Sequence, residues 1–230
     1  MLSILLLLAS PWGVYSQAIY SNSGTEARNY YISGGYGFGT SFWSSKLYKT
    51  QLYDQYGAII KSGDLKFKSK TSTRCYDINV TVPVSNIHLG LGLNFEENSM
   101  DKIDIQNSAG IIVYDQKFRL DKFYALIEFP LQQKLKIDFK AAIQARFGYY
   151  GYSGVDRENF FGEEAMANTY FVGIGAIANF KIMQHVYFYL YPNFEYKYFN
   201  NNAKENPANI THNIATFNSI GGLRINVSSR

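Results

Sequence analysis

The chain has 230 residues, 17% aromatic and 17% charged, with 20 Tyr, 17 Phe and 1 Cys. That length supports one domain with a full core, and a composition rich in Tyr, Phe, Ile, Gly and Asn favours strands joined by polar loops. A net charge of +4 is too mild to imply nucleic-acid binding, and the lone Cys75 excludes an intrachain disulfide framework and a cysteine zinc site.

The first segment is unlike the rest. Leu2 to Ala9 is an apolar run, shorter than the about 20 residues a membrane helix needs. Pro11, Gly13 and the small-residue pattern ending at Ser16 follow it. This layout predicts a secretory signal peptide over residues 1–16, followed by a short periplasmic segment over 17–29.

Two-residue alternation then dominates, which places side chains on opposite faces of a strand in turn. Tyr30 to Trp43 sets Tyr, Ile and Phe against Ser and Gly. Thr73 to Val84 sets Tyr76, Ile78, Val80 and Val82 against Cys75, Asp77, Asn79 and Thr81. Ile87 to Glu96 opposes Leu89, Leu91 and Leu93 to His88, Asn94 and Glu96. Arg119 to Pro130 opposes Phe123, Ile127 and Phe129 to Tyr124, Leu126 and Glu128. Leu135 to Tyr149 keeps every charge on one side: Lys136, Asp138, Lys140 and Arg146. Thr169 to Ile182, Val186 to Phe199 and Asn213 to Val227 complete the set, the last two carrying Glu195, Lys197 and Arg224 on the polar face. Eight strands are predicted.

The links alternate in length. Those after the second, fourth and sixth strands are tight ("VSN", "PLQQK", "MQH"). Those after the odd strands are long: Ser44–Ser72, Glu97–Phe118, Gly151–Asn168 and Asn200–His212. In an up-and-down sheet this puts all long loops at one end.

A soluble barrel would hide its apolar face, whereas a membrane barrel turns it to lipid and keeps a polar lumen. Strand length, aromatic residues near strand ends (Phe129, Phe188; Phe95, Phe147, Tyr149, Tyr196, Tyr198), loop asymmetry, and an even strand count with a signal peptide all favour the second. The predicted fold is all-β: an eight-stranded antiparallel up-and-down transmembrane β-barrel over residues 30–228, in the cell outer membrane and in contact with its lipid.

On this pattern the chain resembles the small outer-membrane barrels of Gram-negative bacteria with OmpA- and OmpX-like architecture. The block "FYALIEFPLQQKLKI" and Gln17 after the cleavage site are similar to the outer-membrane β-barrel domain family of Bacteroidota.

Eight strands leave an interior that side chains can fill. The lumen network is expected to comprise Asp77, Glu128, Lys136, Asp138, Lys140, Arg146, Glu195, Lys197 and Arg224, with His88, Glu96 and Lys181 on the same face. It reads either as an ion-paired plug or as a narrow charged path. His212 is placed at the external rim, near Ser153 or Asp156, with no spacing motif for catalysis. "GGYGFG" lies inside a strand without a following helix, so it is no phosphate loop. No metal-ligand spacing or cofactor motif occurs, and no cofactor is expected.

The external loops carry the binding candidates: basic Lys61, Lys66, Lys68 and Lys70 in the first, acidic Asp156, Glu158, Glu163 and Glu164 in the third. They read as solvated loops, as mutual caps over the mouth, or as contacts for a partner or for lipopolysaccharide phosphates. The functional expectation is a non-enzymatic structural or accessory subunit that binds a protein partner in an outer-membrane complex. The alternatives are an autonomous adhesin, a narrow channel and, third, a lipid-modifying enzyme.

Overall fold

The computed structural model of the chain describes residues 29–53, 56, 59–105, 111–131, 139–154, 169–201 and 210–228. The strands are β1 (Asn29–Tyr53), β2 (Ile59–Val84), β3 (Ile87–Ile105), β4 (Ile111–Pro130), β5 (Phe139–Gly154), β6 (Thr169–Met183), β7 (Val186–Asn201) and β8 (Ile210–Ser228). Each pairs with the next, and the ring closes into a barrel. Closure leaves no sheet edge with unpaired backbone groups, the condition for a sheet to cross lipid.

Side-chain placement is inverted relative to a soluble protein. Ile32, Phe38, Ile78, Leu91, Phe123, Ile143, Ile174 and Leu223 are exposed, while Asp77, Glu96, Lys122, Arg146, Glu195, Lys197 and Arg224 are buried. Nothing but a lipid surround makes that arrangement favourable, because in water it would expose apolar area and desolvate charge together. On β1 the exposed apolar side runs from Ile32 to Phe42. At about 3.3 Å per residue and a tilt near 40° this is about 25 Å of height, the usual height of the lipid-facing band. Exposed Phe129 and Phe188 lie toward one end, and exposed Phe147, Tyr149 and Tyr196 toward the other, as expected for aromatic girdles.

Two hairpins are as tight as the sequence indicates. Val84 pairs with Ile87, and Met183 pairs with Val186, leaving two-residue turns. In each turn one residue takes the left-handed region that such turns require, Ser85 at φ 56° and His185 at φ 69°. The third short link falls largely on residues 132–138, outside the described residues. In β7, Pro192 lacks an N–H, and the β6–β7 ladder is interrupted there: pairing passes from Gly175↔Asn193 to Ala178↔Leu190 without a change of register.

The long connections need correction. Ser44–Ser72 is not a loop: β1 continues to Tyr53, and β2 begins at Ile59, paired with it. Likewise β3 and β4 stay paired out to Asp104↔Ile111. The physical reason is that hydrophobic alternation stops where lipid stops. Beyond that level the outer face meets water, so the stripe of exposed apolar residues ends at Phe42 while backbone pairing continues. Register shifts at Leu47/Thr50 and Leu52/Tyr53 further scramble the two-residue phase.

Small residues set the fit of the closing seam. A Cβ on Gly39 would lie 2.1 Å from the Phe217 carbonyl oxygen and 2.2 Å from Asn218 Oδ1. Gly39→Ala is therefore expected to destabilise the barrel by about 1–3 kcal/mol, as overpacking does. Denaturant titration in lipid vesicles, read against Gly34→Ala, measures it, because a Cβ on Gly34 meets nothing within 4 Å. Equal tolerance at the two glycines would contradict this packing.

Candidate functional site in the barrel lumen

The inward face builds from the tight-turn end as layers of buried charge. Lowest is Glu128 on β4, 3.0 Å from Arg224 on β8 and 3.5 Å from His88 on β3. Arg224 also donates to Thr81 at 3.2 Å and lies over the Tyr31 ring at 4.2 Å.

The middle layer centres on Asp77 and Arg146. The guanidinium donates to both carboxylate oxygens, at 2.9 and 3.1 Å. This bidentate geometry is the strong form of a charge-assisted bond. Asp77 also accepts from Tyr124, Asn79 and Asn94 at 2.9, 3.1 and 3.0 Å. Arg146 is held between the rings of Tyr124 and Tyr191, at 4.6 and 4.3 Å. Gln144 joins the two layers, accepting from Arg146 at 2.8 Å and donating to Glu128 at 3.3 Å.

Above it sits a quartet. Lys122 lies 2.5 Å from Glu96 and 2.6 Å from Glu195. Lys197 contacts both oxygens of Glu96 at 2.7 Å and approaches Glu195 to 3.6 Å. Spare polar atoms are also engaged: Lys197 donates to Thr216 at 2.8 Å and Asn98 donates to Glu96 at 3.2 Å.

The external end of the lumen is closed by apolar side chains, which polar-lumen reasoning does not anticipate. Trp43, Phe67, Met100, Leu120, Phe171 and Phe199 form one buried cluster with Tyr124 and Ile214. His212 belongs to this cap. It is fully buried, its Nδ1 is 2.6 Å from Ser45 Oγ, and its ring packs against Trp43 and Phe199 at 5.5 and 5.2 Å. His212 does stand at the external end of β8, as expected, but it faces inward and is buried in the cluster rather than lying on an open rim. The reason is its phase on β8, shared with Ile214 and Thr216.

Six of the nine predicted lumen residues lie in this network: Asp77, Glu128, Arg146, Glu195, Lys197 and Arg224. Lys140 does not. It has the inward phase but stands at the start of β5, exposed, with its ammonium 5.9 Å from the Tyr187 ring. Lys181 is also exposed. At the barrel's end the lumen opens to water, so phase alone no longer implies burial. Lys136 and Asp138 lie outside the described residues, as do Asp156, Glu158, Glu163 and Glu164. Sequence reasoning missed Lys122 altogether, although it has the phase of Tyr124 and Leu126. Cys75 is buried beside Tyr189, Tyr191 and Ile220.

The fully buried charges of the described residues balance: Asp77, Glu96, Glu128 and Glu195 against Lys122, Arg146, Lys197 and Arg224. Each touches at least one opposite charge. Such an arrangement holds strands together across the bore and fills it. Among the described residues no three potential ligands converge as a metal site would require.

By sequence, no family profile and no curated protein matches the chain. By structure it is similar to the outer-membrane protein OprG from Pseudomonas aeruginosa, with a TM-score of 0.51 at 10% identity over 90% of this chain and 99% of that one. The fold is that of an outer-membrane β-barrel. The outer-membrane protease OmpT from Escherichia coli follows with a TM-score of 0.43 at 9% identity, over 90% of this chain and 99% of that one. Neisserial surface protein A has a TM-score of 0.41 at 12% identity, over 84% of this chain and 97% of that one. At these identities the likeness speaks for architecture alone.

Proposed function

We propose that the chain is a non-enzymatic, non-conducting integral protein of the outer membrane that serves as a structural or accessory subunit, offering its external strand extensions to a protein partner. The observation that carries this reading is the filled lumen. Four buried carboxylates and four buried cations, paired in three layers, span the bore, and an aromatic cluster lies over them, leaving the outside surfaces to do the work. β1 and β2 supply such a surface: from Phe42 to Tyr53 the strand runs about 35 Å at about 3.3 Å per residue. Kinship with the barrels of Bacteroidota is part of the same proposal, supported by the strand–Pro block of β4, Phe123 to Pro130.

Reconstitution into planar bilayers, together with sizing after mild-detergent extraction from the native membrane, tests it. The expected result is no stable conductance and a stoichiometric companion protein. Steady channels that change on Arg146→Gln would replace this reading with that of a narrow pore. A lone monomer without conductance would favour the autonomous adhesin, which the same projecting strands also suit.

A further inference from the structure

The outward face of β2 is one continuous column. From the tight-turn end it exposes Val84, Val82, Val80 and Ile78, then Tyr76, then Arg74, Ser72, Lys70, Lys68 and Lys66. On β2 itself the cations begin where the apolar side chains end, level with Phe38 and Phe42 in the upper part of the β1 band. Successive members stand about 7 Å apart, twice the rise of a strand. On the neighbouring strand the partners of this column are Tyr36, Phe38, Thr40, Phe42, Ser44 and Lys46.

Two features separate this column from ordinary surface charge. First, its positive charge is in excess. Lys46 pairs with Asp64 at 2.8 Å, and Arg119 on β4 pairs with Asp121 at 2.7 Å. Among the residues whose side chains are described, Lys66, Lys68, Lys70 and Arg74 form no ion pair. The acidic residues nearest in register are Glu97, exposed opposite Arg74, and Asp104, opposite Lys68. Second, exposed aromatic rings flank the lower cations. Phe38 lies opposite Arg74, and Phe42 lies opposite Lys70, whose ammonium is 5.9 Å from its ring. Phe42 in turn meets Phe217 of β8 at 6.5 Å, edge to face.

We propose that this face of β2 binds the phosphate groups of an anionic glycolipid in the external leaflet. Acyl chains lie against Ile78, Phe38, Phe42 and Phe217, and the phosphates meet Arg74 and Lys70. Sugar-borne phosphates farther out meet Lys68 and Lys66. An ammonium serves such a ligand as a point charge, and the Arg74 guanidinium as a two-pronged donor. A lipid source suits the column better than a soluble anion, because its lower half is apolar and its upper half cationic, in the order a lipid presents itself.

The test uses the full chain folded in detergent micelles, with bisphosphorylated lipid A and its phosphate-free form as probes and native mass spectrometry as readout. The wild type is expected to retain the phosphorylated lipid at least about tenfold better, the scale of a few charge-assisted contacts. The preference should fall with added salt, as exposed electrostatic contacts do. The combined variant Lys66→Gln, Lys68→Gln, Lys70→Gln, Arg74→Gln should lose it, while Lys140→Gln at the opposite end keeps it. Folding of each variant is checked by its heat-sensitive gel mobility. Should the combined variant not fold, Lys66→Gln with Lys68→Gln, above the lipid band, is expected to reduce the preference at least about threefold by removing two such contacts. Equal retention of the two lipids, or a preference that survives these substitutions, overturns the proposal. So does displacement of the lipid by an equal concentration of inorganic pyrophosphate, which would make the site one for soluble phosphate.

Discussion

Replacing Glu96 with alanine is expected to lower the unfolding free energy of the barrel by about 3–5 kcal/mol, the cost of breaking a buried ion pair from one side. Glu96 has no exposed surface and accepts from Lys122 at 2.5 Å and from Lys197 at 2.7 Å. Its removal leaves two buried ammonium groups to share Glu195, which lies 2.6 Å from one and 3.6 Å from the other. The penalty is the uncompensated charge rather than the lost attraction. Replacing both Glu96 and Lys197 with methionine should therefore recover much of it, since removing both members of a buried pair in favour of apolar groups is often neutral. Urea titration in phospholipid vesicles, followed by Trp fluorescence and by gel mobility, measures both variants. A loss of only about 0–1 kcal/mol for Glu96→Ala, the worth of a solvated ion pair, would mean that water fills the lumen. The plug on which the proposed function rests would then be wrong.

The second large effect concerns the wall. Ile143 on β5 is 41% exposed and sits between the girdles, with Tyr149 at 71% exposure nearer the external rim of the same strand face. Ile143→Arg is expected to cost about 2–4 kcal/mol, and Tyr149→Arg about 0–1 kcal/mol, because the penalty for a charge on the lipid face falls with distance from the midplane. In a water-soluble barrel both positions would tolerate arginine to within about 0.5 kcal/mol. Folding titrations of the two variants in vesicles discriminate these cases. A flat profile would remove lipid from the exterior.

Much of this architecture is legible along the chain. Side chains alternate because of the strand backbone itself, so each residue's phase is a local property. Residues Gln144, Arg146 and Glu195 could be assigned to the lumen, and Ile143, Phe147 and Phe194 to lipid, without knowing any neighbour. The same logic reaches Lys122 once β4 is read through it. The limits of the pattern are equally physical. Above the bilayer the outer face is wetted, so the paired extension of β1 and β2 beyond Phe42 carries no outward apolar stripe and reads as a loop. At the other end the lumen opens to water, so Lys140 has an inward phase and yet is exposed.

Pairing across the lumen is of a different kind. Lys197 meets Glu96 across 101 positions of sequence, and Arg146 meets Asp77 across 69. Which cation faces which carboxylate depends on the stagger accumulated around the closed ring, to which every strand pair contributes its register. The aromatic cap arises in the same way. Trp43, Phe67, Phe171 and Phe199 come from four strands, and each is only an inward-facing ring until closure brings the four to one level. The chain's own alternation specified a lipid-facing barrel with a charged interior, because phase is local. Closure of the ring decided which charges meet, and that those of the described residues balance beneath an aromatic cluster, because height and register around a barrel are shared by all eight strands.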